Sequence, residues 1–234
     1  MNKQNKLNEF ITNPIKSIWN LSLPMMFGMS VQAIYMLTDT AFVGKWVGGI
    51  GLASLGYVFP FFFILMGITF GLGSGATTMI AQYIGQQNKE KADITASHTI
   101  FIGLILGILI LIIGLFFGKN ILLIQRADQQ TTSMALEYFY IMSSGSIFMV
   151  LSIFFRSILS GEGEIIFPMK ILGMGTIINI ILDPLLIFHF GISGAAMATV
   201  ISQMLVTIIF IYYLLFRQRS YIHFNFKNFS INLE

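Results

Sequence analysis

The stretch NIILDPLLIF, residues 179–188, sets a carboxylate and a proline side by side within a run of large apolar residues. If this run crosses a membrane, Asp183 costs about 2.5–3.5 kcal/mol to insert, and Pro184 removes one backbone hydrogen bond from its helix. Ionisable residues inside membrane helices usually serve an ion, a proton or a substrate. The stretch therefore indicates a functional site within a membrane helix, provided that the rest of the chain is a membrane protein.

The composition supports that condition. Of the 234 residues, 56% are hydrophobic and 10% are charged, against about 25% charged residues in a typical soluble domain. The mean hydropathy is +0.81. The absence of cysteine excludes a disulfide framework and a thiolate metal site, and the small net charge of +3 gives no sign of a nucleic-acid partner.

Six apolar segments are long enough to cross a membrane as helices, which takes about 20 residues each. The sequence therefore predicts an all-α membrane protein with a cytoplasmic N-terminal segment (1–14), a six-helix transmembrane unit (15–216) and a cytoplasmic tail (217–234). The predicted spans are approximately residues 15–43, 52–81, 94–117, 136–155, 165–190 and 192–216.

The basic residues predict the orientation. With both termini in the cytoplasm, only Lys45, Lys119 and Arg126 of the 13 Lys and Arg residues fall on the outer side. Cytoplasmic loops are usually enriched in Lys and Arg, so this orientation fits and its inverse does not. No cleavable signal peptide is recognisable at the N-terminus. We expect a multi-pass protein of the plasma (inner) membrane.

Polar residues inside the predicted spans fall on shared helix faces. Gln32, Tyr35 and Asp39 are spaced i, i+3 and i+7, and Asn179 and Asp183 are spaced i and i+4. A carboxylate with an amide one turn away offers oxygen ligands that suit Na⁺ or a held proton. The alternative is that each acid lies near a helix end, where water or a cap satisfies it.

Two prolines within spans predict deformable helices. Pro184 follows Asp183 directly and frees a backbone carbonyl one turn earlier, while Pro24 lies within the first span. Such breaks are tolerated in membranes where they line a cavity or pack on protein. We expect both to act as hinges.

Five stretches, in this order between about residues 14 and 220, resemble the multidrug and toxic compound extrusion (MATE) transporters. They are LSLPMMFGMSVQAIYMLTDTAFVGKWVGGIGLASLG, GLGSGATTMIAQYIGQQNKEKA, RSILSGEGEIIFPM, NIILDPLLIF and GISGAAMATVISQ.

The resemblance implies a secondary antiporter that exports cationic or amphipathic drugs, including antibiotics, in exchange for H⁺ or Na⁺, with no other cofactor and no enzymatic activity. Such transporters have two lobes of six helices each. The resemblance assigns Asp39, Asp183, Asn179, Tyr138 and Thr199 to the coupling of H⁺ or Na⁺, and Pro24 to the bending of the first helix. Gln32 and Tyr35 would line the substrate cavity.

The chain departs from this family in length, because members have twelve spans. We therefore expect it to be an N-terminal half, one six-helix lobe, that depends on a second lobe or on a second copy of itself. The alternative is a non-transporting membrane fragment or scaffold. An intramembrane aspartyl protease also uses two acids within membrane helices. The acids of such proteases lie in YD and GxGD patterns, whereas Asp39 and Asp183 lie in LTDT and ILDPL, so the sequence does not favour a protease. A related transporter, such as a lipid-linked sugar flippase, usually needs clustered basic residues in its cavity, and the predicted spans contain no such cluster.

Overall fold

The computed structural model describes residues 12–126, 128–216 and 221–222, and these form a helical bundle without strands. The seven long helices are α1 (Pro14–Trp46), α2 (Gly49–Gly85), α3 (Lys89–Leu123), α4 (Gln129–Ser144), α5 (Ser146–Gly161), α6 (Ile166–Phe190) and α7 (Ile192–Ile211), and a π-helical turn (Tyr212–Phe216) extends α7. The predicted all-α class is confirmed.

Most of these helices can cross a membrane. Among the described residues, α2, α3, α6 and the extended α7 are long and apolar enough, and α4 and α5 together make a fifth, bent span. Helix α1 has 33 residues, a length of roughly 50 Å at 1.5 Å per residue against a hydrocarbon core of about 30 Å, but it is not among the helices that are also apolar enough to qualify as spans. The six predicted segments coincide with α1, α2, α3, the α4–α5 pair, α6 and the extended α7.

The sequence predicts the fourth span as one segment, whereas the structure forms it from two helices, α4 and α5, that meet at an angle of 50°. The bend lies at Gly145, where a Cβ atom would collide with the side chain of Val200 on α7. The Ser146 hydroxyl donates to the carbonyl of Gly107 on α3 at 3.0 Å, and the Ser144 hydroxyl donates to the Ile141 carbonyl at 2.6 Å. The bend thus coincides with the close approach of α7, while the Gly145 amide still donates to the Ile141 carbonyl at 3.1 Å.

The helices are packed in a definite order. Helices α4 and α5 lie between α7 on one side and α2 and α3 on the other, whereas α6 packs only on α7 and α1 among its major neighbours. Helix α1 in turn packs mainly on α6. The α1–α6 pair therefore forms one edge of the bundle, attached chiefly through α7.

Tight backbone contact joins α6 to α7. The turn between them is made by Gly191, with φ of +58°, and a Cβ atom at Gly194 would collide with the backbone carbonyl of Leu186. Small residues allow helix backbones to approach closely in membranes, where van der Waals packing drives association. This contact fixes the α6 residues of the functional site relative to α7.

Candidate functional site

Helix α6 has two sharply different faces. Gly175, Asn179, Asp183 and Ile187 recur every four residues and are all buried. The opposite face is largely exposed, as expected for a lipid-facing or partner-facing surface, and carries Ile177, Ile181, Leu185 and Phe188. The helical period therefore directs the carboxylate of Asp183 into the bundle.

The buried face of α6 is only partly satisfied by hydrogen bonds. The Asn179 Nδ2 donates to Asp183 Oδ1 at 3.3 Å, and both side chains are fully buried. The second oxygen of the carboxylate, Oδ2, and the amide Oδ1 have no hydrogen-bond partner within the described part of the chain. Buried polar atoms usually have hydrogen-bond partners, so these two oxygens indicate a site that binds a further group, such as a proton or a cation.

Asp39 supplies a second carboxylate from α1. It lies about two turns before the helix ends at Trp46, its side chain is 5% exposed, and its Oδ1 also lacks a hydrogen-bond partner among the described residues. It is close enough to interact electrostatically with Asp183. Two carboxylates repel when both are ionised, which favours a proton or a cation between them.

Hydroxyl groups from α1, α4 and α7 complete the site. The hydroxyl groups of Tyr35 and Thr199 lie 2.9 Å apart in a hydrogen bond that joins α1 to α7. Tyr138 of α4 is buried in the neighbourhood of Asp39 and Asp183. The structure thus brings these side chains together with those of α6.

A small, partly open cleft lies beside these residues, between α6 and α7 and next to Tyr35. The Ser202 hydroxyl at its wall is 4% exposed and has no hydrogen-bond partner among the described residues. The Gln203 Oε1 accepts a hydrogen bond of 3.1 Å from the Ser152 hydroxyl. Its lining is part apolar and part polar: Tyr35, Leu172, Gly175, Thr176, Asn179, Thr199, Ser202, Gln203 and Val206.

Sequence reasoning missed the inner wall of this cleft. Thr176 stands three residues before Asn179, while Ser202 and Val206 stand three and seven residues after Thr199. That helical spacing is the signal that could have found them.

The MatE family model matches residues 24–185, a range that includes Asp39, Tyr138, Asn179 and Asp183. The chain belongs to the MatE family. It is 32% identical over 208 residues to a probable multidrug resistance protein, YoeA, of Bacillus subtilis, with 85% of this chain and 45% of the relative covered. It is 30% identical over 214 residues to the multidrug export protein MepA of Staphylococcus aureus, with 90% of this chain and 48% of the relative covered.

The fold matches as well. A crystal structure of MATE in the bent conformation superposes with a TM-score of 0.90 at 33% identity, covering 97% of this chain and 51% of that one. The chain spans about half the length of the curated relatives it matches. Because these MatE relatives are transport proteins rather than enzymes, the protease interpretation is wrong.

For two of the predicted site residues of this MatE chain, the structure describes the backbone but not the side chain. Pro24 and Gln32 fall within the backbone of α1, but the structure describes neither side chain. Pro184 is half-buried, and α6 remains helical through it from Ile166 to Phe190. The hinge roles of the two prolines stay predictions.

The donor set of the MatE site has a definite chemical character. Within the described residues, no group of three or more His, Cys, Asp or Glu side chains could hold a metal ion. Asp39, Asp183 and Asn179 instead offer two carboxylates and one amide oxygen, all buried. Carboxylate and amide oxygens are ligands for hard cations rather than for soft transition metals.

Proposed function

We propose that this chain is one six-helix lobe of a multidrug exporter that moves cationic, amphipathic drugs out of the cell in exchange for H⁺ or Na⁺. Its similarity to a multidrug export protein over 90% of its length supports the transport of drugs. Its match to about half of that relative supports a lobe that works with a second lobe or with a second copy of itself.

The observation that carries the proposal is the incomplete satisfaction of Asp183. A carboxylate that is fully buried, with one oxygen lacking a partner among the described residues and a second acid within electrostatic range, is costly to keep. Ionisable groups in such positions within membrane proteins are usually functional. Binding and release of a cation is the role that needs both the charge and the free oxygen.

The coupling step follows from the positions of the helices. A proton or Na⁺ would be held by Asp183 and Asn179 of α6, with Asp39 of α1 opposite and Tyr138 and Thr199 supplying hydroxyl groups. Neutralising the acids removes their repulsion and favours the arrangement in which α1 and α6 lie closest. The cation then shifts the conformational equilibrium by its difference in affinity for the two arrangements.

The drug would interact with the same region. Leu172 and Val206 offer apolar surface in the cleft, while Tyr35 and Gln203 offer an aromatic ring and an amide. This mixture suits an amphipathic cation, and the nearby acids favour its positive charge. A drug and the coupling cation would compete for one negative site, which is the requirement for exchange.

Drug susceptibility in an efflux-deficient bacterial host tests the proposal. The chain is expressed alone, and also together with the second six-helix half of a MatE relative, with membrane insertion confirmed in each case. We expect no resistance from the chain alone and resistance from the pair, because alternating access needs two bodies that move against each other. Resistance from the chain alone would indicate that two copies act as a dimer.

Matched variants assign the coupling role. Asp183→Asn and Asp39→Asn should abolish resistance while the protein still inserts, whereas Glu90→Gln, which removes an exposed charge, should not. Drug transport into vesicles from resistant cells, measured with an imposed H⁺ gradient and then with an imposed Na⁺ gradient, identifies the coupling ion. Resistance that survives Asp183→Asn would contradict the coupling role, and an inserted pair without any resistance would favour the scaffold alternative.

The expected orientation has its own test, because a chain without native cysteine can carry single reactive thiols. Gln86→Cys, in the exposed turn after α2, should resist a membrane-impermeant maleimide added to intact cells. Gln129→Cys, exposed at the start of α4, should react. The reverse pattern would place both termini outside.

A further inference from the structure

The chain returns to the bundle after α7. Ile222 is 1% exposed and belongs to a buried cluster with Ile80 of α2, Ala96 of α3 and Ile158 of α5. An isoleucine this deeply buried in a short non-helical segment occupies a pocket, and does not simply lie on the surface.

Glu162, at the end of α5, holds the backbone of this segment. Its Oε2 accepts from the Tyr221 amide at 3.0 Å, and its Oε1 accepts from the Ile222 amide at 3.2 Å. One carboxylate thus satisfies two successive amides that no helix or strand would otherwise pair, and hydrogen bonds to charged groups are stronger than neutral ones. The Lys89 ammonium group lies 5.6 Å from the centre of the Tyr221 ring.

These contacts attach the segment that follows α7 to three helices at one end of the bundle. The pocket for Ile222 is formed by α2, α3 and α5. The end of α7 is packed independently, since Phe210 and Leu214 share a buried cluster with Phe155 and Leu159 of α5. The segment that follows α7 is therefore attached to α5 beside the cluster in which α7 itself packs, since Ile100 of α3 contacts both clusters.

The α1–α6 pair is left out of these contacts. Helix α6 packs on α1 and α7, and α1 packs mainly on α6. The cleft lies at this boundary, since Asn179 of α6 and Thr199 of α7 both line it. Any movement of the pair against α7 changes the cleft.

We propose that Tyr221 and Ile222 form a strap, that Glu162 and the pocket of Ile80, Ala96 and Ile158 are its docking site, and that docking fixes α2, α3, α5 and α7 as one body. The strap is a part of this chain, and its docking can be measured without any transport assay, so the test is independent of the proposed function.

Thiol reactivity in the purified, detergent-solubilised chain measures docking. Ile222→Cys keeps a small apolar side chain in the pocket and should react with a maleimide at least about tenfold more slowly than Gln86→Cys, which is exposed. Adding Glu162→Gln should raise the rate at Ile222→Cys severalfold. The control change Glu90→Gln, which replaces an acid at an exposed position near the start of α3, should not raise that rate. Equal rates at the two cysteines, or no response to Glu162→Gln, would overturn the docking site.

Amide hydrogen exchange of the unsubstituted chain measures docking directly, and it tests the proposal even if the Glu162→Gln variant fails to fold. The amides of Tyr221 and Ile222 should be protected, and exchange at the rate of an unstructured peptide would refute docking. In a folded Glu162→Gln variant, exchange should rise at the end of α5 and stay unchanged across residues 34–43 of α1. Equal exchange at the α5 end with and without the substitution would show that docking does not fix that helix.

Discussion

Replacing Asp183 with asparagine should make the purified chain more stable while removing its proposed transport role. The carboxylate is fully buried, receives one hydrogen bond of 3.3 Å from Asn179, and leaves Oδ2 without a partner among the described residues. Asparagine has nearly the same shape and retains an oxygen for the Asn179 amide. The substitution therefore removes the buried charge with little change in packing.

The expected gain can be worked out from these contacts. A carboxylate at the centre of a membrane helix costs about 2.5–3.5 kcal/mol. The new amide group would sit where Oδ2 has no partner, and an unsatisfied buried group costs about 1 kcal/mol or more. The difference is a gain of roughly 2 kcal/mol in the free energy of unfolding. For a chain of this size that corresponds to a rise in Tm of about 4–8 °C.

Thermal unfolding of the detergent-solubilised chain, followed by size-exclusion chromatography after heating, measures the change. Glu90→Gln is the matched control, since an exposed substitution should change stability by less than about 0.5 kcal/mol. The gain from Asp183→Asn should be larger in alkaline than in acidic buffer, because only the ionised carboxylate carries the cost. A Tm that is unchanged or lower at every pH would refute the reasoning that the buried acid is held at the expense of stability.

Three further substitutions test individual contacts by thermal unfolding. Tyr35→Phe removes the 2.9 Å hydrogen bond between α1 and α7 and should lower the free energy of unfolding by about 0.5–1.5 kcal/mol; no loss would show that the bond does not hold α1. Asp128→Ala removes the N-cap of α4, and the Thr131 hydroxyl and amide hold the pKa of Asp128 below its ordinary value. The cap therefore stabilises the protein at neutral pH, and this stabilisation is lost as the pH falls below about 4. The Tm difference between Asp128→Ala and the unsubstituted chain should accordingly shrink in acid, and a difference that stays constant with pH would contradict the role of the cap. Gly194→Ala should lower the Tm because its Cβ meets the α6 backbone, whereas Gly67→Ala, with open space around its Cβ, should not; equal effects would refute the close contact.

The spans could be predicted from the sequence because each is a local property. An apolar run of sufficient length, bounded by polar residues, is enough to indicate a membrane helix. The spacing of Asn179 and Asp183 similarly places both on one face without reference to any other helix. For that reason the predicted sides of α6 agree with its buried and exposed faces.

The features that could not be predicted depend on residues far away in the sequence. The bend at Gly145 reflects the approach of Val200, a residue of α7. The small residues of SSGS (143–146) are typical of close helix packing, but the local sequence identifies neither the partner helix nor the bend. The burial of Ile222 reflects a pocket made by three other helices. The spacing from Thr199 places Ser202 on the same face of α7, but the packing of that face against α6 depends on both helices.

The attachment of α1 to α6 and α7 imposes an order on biosynthesis. Tyr35 and its hydrogen-bond partner Thr199 are separated by 164 residues, and the main packing surface for α1 is made almost as late. A ribosome that adds about 5–20 residues per second needs roughly 10–30 s to cover that distance. During this interval the first helix carries Asp39 without the surroundings that bury it in the finished protein, so the insertion machinery or a neighbouring chain must shelter the acid until α6 emerges.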